Sequence, residues 1–152
     1  MSLNKVVIVE AKRTPIGSFM GSLSNIPTTL IGAKSIEAAI KSISLKPELV
    51  DEVYFGNVLQ AGVGQAPARQ SAIFAGIPNN VPCTTINKVC SSGMKSISIA
   101  AQSIAIGENN IVIAGGMENM SMSPHYFNLR KGVKFGETRF NDIMEIDGLM
   151  DP

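Results

Sequence analysis

The chain has 152 residues, 45% of them apolar and 16% charged, with a net charge of +1. That balance excludes intrinsic disorder, and a chain of this length is normally one domain able to bury roughly 70% of its unfolded surface. Its basic pairs, Lys12-Arg13 and Arg130-Lys131, are too short for a nucleic-acid-binding stripe, no apolar run has the length to span a bilayer, and the first five residues carry no signal-peptide pattern, so a cytoplasmic location without nucleic acid or membrane is expected.

Residues 5–11 (KVVIVEA) form a near-continuous apolar run, which predicts a strand covered on both faces and the first central strand of the sheet. Arg13-Thr14-Pro15-Ile16-Gly17 breaks it into a loop. Pro27-Thr28-Thr29 can open a helix in which Leu30, Ala33, Ile36, Ile40 and Ile43 recur at helical spacing, with Lys34, Glu37 and Lys41 on the wet face. Residues 46–48 end it, and residues 52–55 predict a second strand.

Residues 56–64 read as a glycine-containing loop. A dinucleotide fingerprint starting at Gly62 fails at its sixth position, where Pro67 stands, and that proline is better placed in the first turn of a helix reaching Ala75. Residues 76–80 (GIPNN) are turn punctuation before a β-branched strand at 84–89, and residues 111–114 predict a fourth strand. Strands alternating with helices predict an α/β fold with a mostly parallel sheet and helices on both faces.

Between the third and fourth strands lies Cys90, followed by Ser91, Ser92 and Gly93 and then by a helical run at 94–106 that Gly107 closes. A cysteine at a helix N-terminus meets unpaired amide donors and the positive end of the helix dipole, both of which favour the thiolate a nucleophile requires. The alternative is an inert, buried cysteine acting as a small hydrophobe. Met94, Ile97, Ala101 and Ile104 share one helix face while Ile99, Ala100 and Ile106 make the others apolar, so the helix is expected to be buried, its serines letting neighbours come close. Cys83 and Cys90 form no CxxC pair, the chain has one histidine, and the two cysteines lie seven positions apart along an extended stretch that holds their sulfurs apart. Neither a zinc site nor a disulfide is expected.

The segments INKVCSSGMKS (86–96) and AGGMENMS (114–121) resemble the nucleophile segment and the following strand-loop of the thiolases, most closely the acetyl-CoA acetyltransferases. RTPIGSFMGSL (13–23), GNVLQAGVGQAPARQ (56–70) and DGL (147–149) agree in the same order, so the resemblance covers essentially the whole chain. It implies the N-terminal half of a thiolase-like core over residues 1–118, and over 119–152 the incomplete beginning of an inserted loop domain with a tetramerisation hairpin. An ordinary surface excursion is the other reading of that last segment.

The resemblance further implies that Cys90 is acylated by a coenzyme A thioester and that its backbone N–H is one oxyanion donor. The reaction would be condensation of two acetyl-CoA to acetoacetyl-CoA, or its thiolytic reverse. Leu149 matches a position lining the substrate pocket, and Glu118 and Asn119 match a loop shaping the site. No cofactor is implied, and the expected partners are these thioesters and further copies of the chain in a homodimer or homotetramer paired along strand 84–89. The family's Gly-His-Pro, Asn-Glu-Ala-Phe and second-cysteine motifs do not occur among these 152 residues. His125 and Cys83 stand in the wrong contexts to replace them, so the fragment alone is expected to be inactive. The rival readings are a non-catalytic module that binds coenzyme A or a partner, and a decarboxylating ketoacyl-synthase-like condensing enzyme.

Overall fold

Glu52-Val53-Tyr54-Phe55-Gly56 alternates large side chains on both faces and becomes β1 (Glu52–Gly56), the middle strand of the sheet. In the computed structural model, which describes residues 3–151, β1 lies parallel to β2 (Cys83–Ile86) on one side and to β3 (Val112–Gly116) on the other. Gly56 pairs with both Ile86 and Gly116, so the three strands end level with one another.

Val53 and Phe55 face a core shared with α1 (Thr28–Ser42) and α2 (Pro67–Phe74), where Ala33, Ile36, Ile40, Ala68 and Ala72 are buried. The opposite face of β1 carries Gly56 against α3 (Ser92–Ala105), giving helices on both sides of a parallel sheet. Met117, just past β3, closes the first core from below, its sulfur accepting a hydrogen bond from buried Ser71 at 2.9 Å.

Four expectations from sequence need correction or trimming. Residues 5–11 form no strand, and they are not central. Val7, Ile8 and Val9 are 63%, 76% and 71% exposed, and the segment is tied down at Asn4, whose N–H donates to Ala105 O at 2.8 Å. A β-branched run becomes a strand only where a neighbour supplies ladder partners, and among the described residues none runs beside it. The strand foreseen at 84–89 stops at Ile86, because Val89 takes a left-handed φ of +47° that no ladder accommodates.

The helix after Cys90 is present, but its buried face is the small one: Ser92, Ser96, Ala100 and Ser103 pack inward, while Met94, Ile97 and Ile106 are exposed. Close approach to the sheet selects the serines, whose hydroxyls are satisfied by the preceding turn, as in Ser96 Oγ donating to Ser92 O at 2.9 Å. In α1 the stripe is narrower than its spacing suggests, with Leu30 and Ile43 about two-fifths exposed.

Beyond β3 the chain forms a short antiparallel ribbon, β4 (His125–Tyr126) with β5 (Asn141–Asp142), and then a π-helical stretch at Met144–Leu149. Among the described residues no helix is long and apolar enough to cross a membrane.

Candidate active site

Parallel strands that end level leave their following loops on one edge of the sheet, the place where open α/β sheets build their sites. Here those loops are residues 57–59, 87–91 and 117–119, and they contain most of the singled-out residues. Cys90 is exposed, immediately ahead of Ser91, which holds the position before the first turn of α3 without a capping side-chain bond.

Its placement is set by glycines. A Cβ on Gly56 would lie 2.8 Å from the carbonyl carbon of Ser92 and 2.9 Å from Gly93 N, so the first turn of α3 rests directly on the β1 backbone. Gly116 also lets β3 approach the helix start, less tightly, since a Cβ there would meet Gly93 Cα at 3.3 Å. By sequence alone Gly56 opens a loop, and these glycines carry no expected part in the site. A glycine closing a strand, opposite a helix start, was the available signal.

The turn before Cys90 is held from both sides. Ser92 Oγ accepts from Lys88 N at 2.8 Å and donates to Val89 O at 2.6 Å, while Asn87 Oδ1 accepts from Val89 N at 3.0 Å. These bonds over-determine the left-handed Val89, a costly conformation for a β-branched residue and one that backbones retain mainly at functional turns. The other cysteine is different in kind. Cys83 is half-buried against the core, its Sγ donates to Val81 O at 3.4 Å, and burial pushes its thiol upward, with only partial relief from Arg69.

Glu118 joins the loops. Its carboxylate accepts from Asn57 Nδ2 at 2.6 Å, Val58 N at 2.8 Å and Leu59 N at 3.2 Å; burial pushes the carboxyl upward and these three bonds pull it back. Asn119 does similar work for the 13–23 motif. Its Nδ2 lies 2.8 Å from Ile26 O and 3.1 Å from the carbonyls of Leu23 and Ser24, while its Oδ1 accepts from Ser121 N. The two motifs together enclose a cavity of ≈450 Å³ lined by Lys12, Arg13, Phe19, Gly116, Glu118 and Ser121 among others.

Cys90 and Leu149 lie outside that cavity. Leu149 is 64% exposed, and its neighbour Gly148 packs on Leu59 in the loop after β1. His125 sits on the ribbon, its side chain 60% exposed and 3.8 Å from Asp142, so the structure gives it no role beside the nucleophile loop.

The family description "Thiolase, N-terminal domain" matches residues 6–152. The chain is 57% identical to acetyl-CoA acetyltransferase 2 of Arabidopsis thaliana, over 96% of this chain and 36% of that protein. It is 53% identical to the mitochondrial acetyl-CoA acetyltransferase of Danio rerio, over 99% of this chain and 36% of that protein. With the cytosolic acetyl-CoA acetyltransferase ERG10 of Gibberella zeae the identity is 52%, over 99% and 38%. The chain thus spans little more than a third of the length of the curated relatives it matches.

Proposed function

This chain belongs to the thiolase family, and on that footing we propose that it carries the acyl-accepting cysteine of an acetyl-CoA C-acetyltransferase. The observation that carries the proposal is the position of Cys90: exposed, at the start of α3, on the sheet edge where the strand-end loops gather. In the first half-reaction the Cys90 thiolate attacks the thioester carbonyl. The Sγ–C bond forms, the bond from carbon to the coenzyme A sulfur breaks, and coenzyme A leaves as its thiolate to take up a proton. In the second, an enolate formed by removing the α-proton of acetyl-CoA attacks the acyl-Cys90 carbonyl, giving acetoacetyl-CoA and returning the cysteine. Both tetrahedral intermediates carry an oxyanion, for which the Cys90 N–H is one donor.

The base, the second cysteine and further oxyanion donors are supplied by other segments, so residues 1–152 by themselves do not complete the cycle. Leu149 contributes to the wall of the acyl pocket, residues 119–152 open the loop domain, and coenzyme A thioesters are the substrates with no further cofactor. Among the relatives both a cytosolic and a mitochondrial enzyme occur.

Alkylation followed by peptide mapping tests the cysteine assignment. Iodoacetamide should label Cys90 many times faster than Cys83, and acetyl-CoA should leave its acetyl group on Cys90 alone in a protein that carries the complementary motifs. Equal labelling of the two cysteines would favour the non-catalytic reading.

Assembly is the second part of the proposal. Among the described residues the outer edge of β2 is unpaired, and an edge of low charge is readily covered by its own copy across a two-fold axis. Light scattering on the enzyme should return a dimer or tetramer, and a monomer at micromolar concentration would refute pairing through β2.

A further inference from the structure

We propose that Glu118 is a positioning residue for Cys90, acting through the loop after β1 and the amide of Asn87. The inference rests on the reading of Cys90 as the acyl acceptor and adds how its turn is held. Where β1 ends, the N–H groups of Val58 and Leu59 leave the sheet ladder and need new acceptors. Two oxygens on one side chain meet them both, together with the amide of Asn57, which is 1% exposed. Three donors converging on two oxygens is an arrangement only a carboxylate satisfies fully.

The clamped loop then reaches the nucleophile segment at two points. Asn57 N donates to Ile86 O at 3.0 Å, and Asn87 Nδ2 lies 3.5 Å from Val58 O. The other end of the Asn87 side chain accepts from Val89 N at 3.0 Å, one residue before Cys90. Glu118 is itself fixed by β3, whose following residue Met117 donates from its N–H to Gly56 O at 2.9 Å. The carboxylate therefore ties the loop after β3 to the loop after β1, that loop holds the end of β2 through Asn57 N and Asn87, and the strained Val89 turn is the last link. Such a residue acts by geometry rather than by charge, since an anion placed near Cys90 would oppose the thiolate.

The test is the iodoacetamide alkylation rate at Cys90 and at Cys83 in the unaltered chain, Glu118→Gln, Asn87→Ala and the double variant. Glutamine keeps the shape but turns an N–H group toward donors. Asn87 is exposed, and truncating it leaves the Glu118 carboxylate satisfied, so that variant decides the matter if Glu118→Gln does not fold. Each substitution should slow Cys90 about tenfold, the effect of a displacement smaller than the ångström that costs a hundredfold. Cys83 should keep its rate, and the double variant should be no slower than the slower single, because both cut one linkage. A fast Cys90 that neither substitution slows, additive losses in the double variant, or a faster Cys90 in Glu118→Gln would each overturn the proposal while leaving the acyl-acceptor reading intact. Equal rates at Cys83 and Cys90 in the unaltered chain would overturn that reading and the proposal with it.

Discussion

Gly56→Ala should cost about 3 kcal/mol, at the upper end for forcing a methyl group into a closed contact. For a chain of this size that lowers the unfolding midpoint by roughly 6–12 °C. The new Cβ would stand 2.8 Å from both the carbonyl carbon and the Cβ of Ser92, and 2.9 Å from Gly93 N. Two of those three atoms are backbone, so no rotamer change relieves the clash and the whole first turn of α3 must lift from β1. Because Cys90 enters that turn, its alkylation rate should fall with the stability. Thermal unfolding by circular dichroism and the alkylation assay read the two effects separately. An unchanged midpoint would mean that α3 does not rest on β1 as described.

Residues 1–152 alone should leave acetoacetyl-CoA and coenzyme A unreacted at any enzymatic rate. The sequence contains one histidine, and it is held on the β4–β5 ribbon beside Asp142, 3.8 Å away, with most of its surface in solvent. Cys83 is half-buried and its thiol is pushed upward by burial, the opposite of what a proton-shuttling thiol requires. Groups that act as a unit lose roughly 10⁴–10⁶ in rate when one is missing, even with the nucleophile in place. Loss of the thioester absorbance is the measurement. Turnover that disappears in Cys90→Ala would show that these residues hold a complete catalytic set.

What the sequence made legible follows the scale of the interaction involved. β1, α2 and β3 were visible because local periodicity and turn residues agree with their burial, and Cys90 because a β-branched strand runs into small residues and a helix. Residues 5–11 misled because the same apolar pattern encodes a strand whether or not a neighbour is beside it, and pairing is not a local property. The α3 helix misled through its isoleucines, although its approach to the sheet is set by Gly56 and Gly116 against Ser92 and Gly93, and the side it buries is that of Ser92 and Ser96. The hydrogen bonds from Asn57, Val58 and Leu59 to Glu118 join residues about sixty positions apart, and no pattern in one sequence reports such a meeting.

The order of the strands also governs when the sheet can exist during synthesis. β1 is central, yet its neighbours come later: Val53 pairs with Cys83, and Glu52 with Val112. No hairpin can seed this sheet, and closing such long loops before any pairing is gained slows folding. At about 5–20 residues per second, the interval between the emergence of β1 and of β3 from the ribosome lasts several seconds. Through that interval Val53 and Phe55 are covered first by the earlier-made α1, with Ile36 and Ile40, and then by α2, while the edge of β1 that takes β3 stays open. The nascent chain is then at its most adhesive, and a chaperone that shields apolar segments has its greatest effect before Gly116 is free.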